Sequence, residues 1–383
     1  MTSHEHPQRY AAGPHMDGVE TSDLLQAARV LARRFGASIT RGLRAQSLFV
    51  GVSIVCLAAA IGLSTFVGRP LQFGIYGDVQ LAFFLNLAVA CLVLRVIRTL
   101  LRQRPARPLR TVWNDLTGDF AAGQRLVLAL PAMVLLPLVL SAYTSLKTMI
   151  PMVAPFAWDG PLAALDARLH GGTAPWELLQ SSLGSPVMTR WIDWAYGPVW
   201  FWMLLILQFW QVFSLHPQRQ RVLVTFVLCW AILGIVMAML FASAGPAYYS
   251  ALVAGPDPFA PLLAYLSEAS GQTQILAVHA QAELWRTYLS GEVGLAAGIS
   301  AMPSMHLSMG MLLVLATWRL GAIVRWLSRA YLALLLVGSV HLAWHYAIDG
   351  YAAIGGTWLL WWAVGRVLDR PKSRATATTT IGS

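Results

Sequence analysis

The stretch SLFVGVSIVCLAAAIGLSTFV, residues 47–67, carries no charged side chain in 21 positions. A bilayer core about 30 Å thick needs roughly 20 apolar residues in helical form, because backbone groups left unpaired in lipid cost several kcal/mol each. The run therefore reads as a membrane-crossing helix, and the chain around it repeats the pattern. Leu126–Leu146, Ala195–Leu215 and Val222–Phe241 are equally free of charge, and weaker or interrupted runs cover about 77–97, 302–318, 330–345 and 346–366. The expected fold is all-α: a polytopic integral membrane helical bundle of about eight transmembrane helices. Composition agrees, with 57% of the 383 residues apolar and 11% charged, against about 25% charged in soluble domains.

The net charge of +10 suits either a nucleic-acid binder or a membrane protein with charged ends. The placement of the arginines decides between them. With both termini in the cytoplasm, 22 of the 27 Lys and Arg residues fall inside and 5 outside, as the positive-inside rule requires. No basic-aromatic or zinc-finger spacing is present, so nucleic acid is not an expected partner. Cys56, Cys91 and Cys229 all lie in apolar runs and read as small hydrophobes, not as a disulfide framework.

Four segments follow. Residues 1–45 form a cytoplasmic polar and amphipathic segment in which Leu24, Leu25, Ala28, Leu31 and Phe35 recur at helical spacing beside Arg29, Arg33 and Arg34, the pattern of a helix lying on the inner leaflet. That segment lacks the features of a removable signal peptide, so the first apolar run is expected to stay as an anchor. Residues 46–125 make an N-terminal transmembrane hairpin and basic loop, 126–370 a membrane catalytic domain, and 371–383 a flexible polar tail.

This topology says which distant residues share a membrane depth. Lys147, the GPAYY run (Gly245–Tyr249), His306, His345 and Asp349 all fall at outer ends of spans. Ionisable groups there are expensive unless paired or wetted, and by default they mark function. In AMPSMH (301–306), Pro303 suits a helix start and places Ser304 and His306 by the free amides of a helix terminus, which favour a phosphate. In SVHLAWHYAIDG (339–350), His345 and Asp349 are four residues apart, as neighbours on one helical face would be. A carboxylate in that position fixes an imidazole tautomer and stabilises its cation.

Other readings of the same residues exist. His341, His345 and Asp349 form a one-face stripe that suits zinc or iron, but that reading leaves PSMH and Lys147 without a part. A transporter or scaffold binding an anionic solute also gathers ionisable groups within a bundle. Lys147 has an alternative as a snorkelling residue, and GPAYY as a helix stop within an aromatic belt. His170 and His279 read as solvated or locally bonded loop histidines.

Taken in order, PSMH and, thirty-nine residues after its histidine, His345 with Tyr346 and Asp349 resemble the second and third signature blocks of the type 2 phosphatidic acid phosphatase superfamily. A bulky residue between PS and His, then HY and a downstream Asp, is most similar to the inositol phosphorylceramide synthase branch. GPAYY and KTMIPMVAPFAWD (147–159) add to a similarity that spans about 140–366. Departures are Ala154 and Ser339, where the blocks often carry arginine, and Met305 in place of glycine. Arg286, Arg168 and Arg190 of the outer loops are candidate substitutes for those charges.

The resemblance implies a phosphatase-like helical core in which His345 attacks phosphorus and becomes a phosphohistidine. It also implies that Asp349 orients that ring and His306 protonates the leaving oxygen. Lys147, Ser304, Gly245, Tyr248 and Tyr249 are the corresponding substrate-binding candidates; no metal and no cofactor are implied. The implied partners are membrane lipids: a phospholipid donor and a lipid hydroxyl acceptor, or water in a lipid phosphate phosphatase. The implied location is a multi-pass membrane position with the site on the extracytoplasmic or luminal side.

Overall fold

The computed structural model describes residues 46–103, 106–117 and 120–369; the expected amphipathic helix over Leu24–Phe35 and the polar tail 371–383 lie outside the described residues. Every regular element among them is helical. α1 (Ser47–Val67) and α2 (Gly77–Gln103) are followed by the short α3 (Pro108–Thr117) and the long α4 (Phe120–Val153). Next come α5 (Asp159–Leu169), α6 (Pro175–Leu183) and α7 (Pro186–Trp194), which runs through a π-helical turn at Ala195–Val199 into α8 (Trp200–Phe213). α9 (Arg219–Leu228) likewise passes through a π-helical stretch, Cys229–Met237, into α10 (Ala238–Leu240). A 3-10 turn (Pro246–Tyr248), α11 (Tyr249–Leu252), α12 (Ala260–Thr273) and α13 (Leu276–Ser290) lead to α14 (Met305–Thr317), α15 (Ala322–His341) and α16 (Ala347–Leu368).

Among the described residues six helical stretches are long and apolar enough to cross a bilayer: Ser47–Val67, Gly77–Arg102, Leu128–Val153, Pro186–Phe213, Arg219–Leu240 and Ala322–His341. α14 is apolar but has only 13 residues, and α16 has 22 residues that include Asp349 and Arg366. These eight occupy the positions of the eight expected runs, with altered ends. α4 extends beyond both ends of Leu126–Leu146 despite Pro131, Pro137 and Pro151 inside it, since neighbouring helices can satisfy the freed backbone groups. The span expected at 330–345 instead ends at His341, and the chain turns before restarting at Ala347.

α1, α4, α8, α9, α14 and α16 share one apolar core, with Leu136, Val212, Val227 and Leu312 fully or almost fully buried. Small residues let these helices approach, as is common between membrane helices: Gly234 faces Tyr143, Gly310 faces Leu335, and Gly356 faces Leu233. Outward faces remain apolar, with Val55 67% and Phe66 83% exposed, as a lipid-covered surface must be.

At one end of the bundle three buried aspartates tie loops to helix starts. Asp166 accepts from the amides of Ala347 and Ile348, capping α16, and Asp193 accepts from Leu276 and Ala277, capping α13. Asp159 accepts from the amides of Ala244 and Gly245 and from the Tyr346 hydroxyl at 2.8–2.9 Å. A carboxylate at free helix N–H groups is favoured by both hydrogen bonding and the helix dipole. Burial pushes the Asp159 carboxyl above its ordinary value, while those donors pull it back down.

Candidate active site

Asp159 joins three stretches remote in sequence: its own KTMIPMVAPFAWD, GPAYY through Gly245, and HY through Tyr346. Gly245 adopts φ +98° and lies so close to the Trp344 carbonyl oxygen that a Cβ there would stand 2.6 Å from it. The Ala247 amide donates to Ala343 O, the Ala301 amide to Ser243 O, and the Ser304 amide to Asp349 O. GPAYY, AMPSMH and the 342–349 turn are therefore one connected piece of backbone.

His345 sits in that turn and Asp349 in the first turn of α16, so they do not share a helical face as their spacing suggested. They nonetheless meet: His345 Nδ1 lies 3.3 Å from Asp349 Oδ2, which also accepts from the Tyr346 amide at 3.1 Å. Asp349 is fully buried and its Oδ1 has no partner. His341, the third member of the HxxxHxxxD stripe, instead bonds through Nε2 to Thr189 Oγ1 at 2.8 Å. The stripe is thus split by the helix break, and no group of three His, Cys, Asp or Glu suited to a metal gathers among the described residues.

Helix α14 starts at Met305, two residues after the expected start at Pro303, and Ser304 is its N-cap. The Ser304 hydroxyl is buried without a partner, close to the Tyr196 hydroxyl. His306 is stacked on Tyr196, with ring centroids 4.2 Å apart and planes 13° apart, and lies against Trp200 at 4.1 Å with the rings tilted by 33°. The Trp200 indole N–H also donates to His306 O at 3.3 Å. Tyr196 and Trp200, one helical turn apart across the π-helical segment, hold the imidazole between them.

Lys147, His306 and His345 line one cavity of about 470 Å³, within the range of small-molecule sites. His306 lies within electrostatic reach of both His345 and Lys147. Lys147 is the one Lys or Arg in the lining, and it forms no ion pair among the described residues. The loop bearing Gly298 (φ +89°) packs directly on the Lys147 backbone, where a Cβ would stand 2.9 Å away.

The remaining candidates play other parts. Tyr248 lines the cavity, but its hydroxyl donates to Gln281 O and its ring stacks on Trp285. Gly245 and Tyr249 stand behind the wall; Tyr249 packs edge-on to Phe259. None of the three candidate arginines lines the cavity. Arg286 pairs with Glu283 and Glu292, and Arg190 donates to Thr273 O.

Two histidines, one held by a carboxylate and one by two aromatic rings, share a cavity with an ammonium inside a helical membrane bundle. That describes a multi-pass helical membrane protein with a cavity lined by ionisable groups. The chain matches the family model of the PAP2 superfamily over residues 160–364, just over half its length. It belongs to that superfamily and is an enzyme of this phosphatase and phosphotransferase family. The matched stretch contains GPAYY, AMPSMH and SVHLAWHYAIDG; Lys147 precedes it. Comparisons with curated proteins and with solved structures returned no match.

Proposed function

We propose that the protein is a membrane phosphotransferase. It moves a phospho head group, inositol-phosphate-like in type, from a phospholipid to a lipid hydroxyl through a phosphohistidine at His345. Its termini are cytoplasmic and the cavity faces the extracytoplasmic or luminal side, a reading that the arginine distribution supports.

The observation carrying this reading is the convergence of His345, His306 and Lys147 on one cavity with Asp349 behind His345. An ionised carboxylate only accepts, so the proton on the His345 ring sits on Nδ1 and Nε2 keeps its lone pair. Nε2 attacks phosphorus, the bond to the leaving oxygen breaks, and protonated His306 gives that oxygen its proton. Neutral His306 then takes the proton of the acceptor hydroxyl, whose oxygen attacks phosphorus as the N–P bond breaks. Lys147 balances charge on the phosphoryl oxygens in both steps.

Water in place of the lipid hydroxyl turns the same sequence into a phosphatase. Similarity to the inositol phosphorylceramide synthase branch favours transfer. Purified protein is supplied with labelled phosphatidylinositol, or another labelled lipid phosphate, with and without a ceramide or glycolipid acceptor. Label is expected in the acceptor lipid; release of label only into water, as inositol phosphate from phosphatidylinositol or as free phosphate from a lipid phosphate monoester, would reject the transferase reading and leave a hydrolase.

A further inference from the structure

The cavity continues inward from the histidines along α8, α2 and the π-helical part of α9, and its far portion holds polar groups that phosphoryl chemistry does not use. Gln80 and Gln208 line it at 4% and 2% exposure, and neither the amide oxygen nor the amide nitrogen of either residue has a partner. The indole N–H of Trp230, on the same cavity at 6% exposure, is also unpartnered. Walls between them are apolar, including Leu140, Phe201 and Leu204. A buried polar group without a hydrogen bond is destabilising, so three facing one space on three helices is an arrangement that a ligand would relieve.

Two helices give the depth independently. Gln208 follows Trp200, the residue against His306, by eight positions, about 12 Å of helix. The Tyr76 amide donates to Ser141 Oγ, six positions from Lys147, and Gln80 lies one turn beyond Tyr76, roughly 15 Å along the bundle from Lys147. Both glutamines lean back toward the N-termini of their helices, which lie at the histidine end. Their amides therefore sit on the order of 10 Å inward of the phosphate position, too far to touch the reacting phosphorus.

We propose that Gln80, Gln208 and Trp230 form a second subsite that holds an uncharged hydroxyl in the body of the lipid substrate, about 10 Å from its reacting head. The inference rests on the cavity being a lipid site, as the proposed function has it. Each glutamine amide supplies a donor and an acceptor, matching a hydroxyl, which is both. No Lys or Arg accompanies them, and apolar walls exclude a charged group.

The probes are hexadecan-1-ol, the same alcohol with a second hydroxyl on carbon 9, and the carbon-9 methyl ether of that diol. Apparent affinities of the full chain in detergent are read from ligand-dependent shifts of the unfolding midpoint. The diol is expected to bind about tenfold tighter than either analogue, the difference made by hydrogen bonds in an apolar setting. Gln208→Leu and Gln80→Leu should each reduce the preference to within about twofold, with a ligand-free midpoint at or above that of the native chain. Equal affinity for diol and ether in the native chain would overturn the subsite, as would a preference that survives both substitutions. A midpoint lowered by several degrees in the leucine variants would also count against it, by revealing a structural part for the amides. Turnover is not the readout. A chain that transfers no phosphoryl group yet prefers the diol keeps the subsite and loses the proposed function, and the converse result separates them the other way.

Discussion

At the level of single residues, the candidate chemistry depends on how each imidazole is held. Asp349 Oδ2 fixes His345 through Nδ1, so Asp349→Asn keeps the shape and removes the charge that sets the tautomer. We expect it to lower kcat by about 10²–10⁴ with little change in KM, by analogy with carboxylate-to-amide changes in hydrolase triads. His345→Ala is expected to remove turnover altogether while the protein still inserts; initial rates on membrane fractions normalised to inserted protein check both. Full activity in purified His345→Ala protein would contradict the mechanism. His306 is held by ring faces, so Tyr196→Leu should lower kcat at least tenfold whereas Tyr196→Phe, which keeps the stack, should stay within a few-fold; equal rates in the two variants would reject a positioning role. His306, His345 and Asp349 were legible because ionisable groups are rare in so apolar a chain. Tyr196 and Trp200 were not, since an aromatic residue near a span end reads equally well as an interfacial anchor. Neutral Gln80 and Gln208 gave no charge signal, and Asp159 stood inside a recognised stretch without a readable partner.

At the level of elements, apolar run length located eight helices, six of them long and apolar enough to cross a bilayer, but misplaced the ends that matter most. Periodicity cannot distinguish a helix that continues through Leu342–Tyr346 from one that stops at His341 and restarts at Ala347. The stop is made by contacts remote in sequence: Asp166 on the first amides of α16, Asp159 on the Tyr346 hydroxyl, and Gly245 against Trp344. The contact between His345 and Asp349 was therefore anticipated for a reason the fold does not use. Gly245 is the most exacting of these positions, because its φ of +98° is unfavourable for a side chain and a Cβ would strike the Trp344 carbonyl. Gly245→Ala is expected to destabilise the protein by roughly 1–3 kcal/mol and to move the 342–346 turn, so that turnover falls together with the unfolding midpoint. A variant with native midpoint and native kcat would show that the close approach has no part in placing His345.

At the level of the whole molecule, charge and packing divide the work. Arginine placement is expected to set orientation, because moving clusters of Lys and Arg across the bilayer is opposed in every short loop. Packing brings helix ends that are far apart in the chain to one end of the bundle, where Lys147, His306 and His345 share a cavity. The proposed orientation puts that end on the side away from the cytoplasm, and single exposed positions at opposite ends test this. Ser182 is exposed on α6, next to the cavity end, and His216 is exposed in the α8–α9 connection at the other. In a chain whose native cysteines are replaced by serine, Ser182→Cys should react with a membrane-impermeant maleimide in intact cells or spheroplasts, and His216→Cys only in inverted membrane vesicles. Labelling of His216→Cys from outside, with Ser182→Cys protected, would place the two histidines on the cytoplasmic side. The phosphoryl chemistry would then survive, but its lipids would have to come from the inner leaflet.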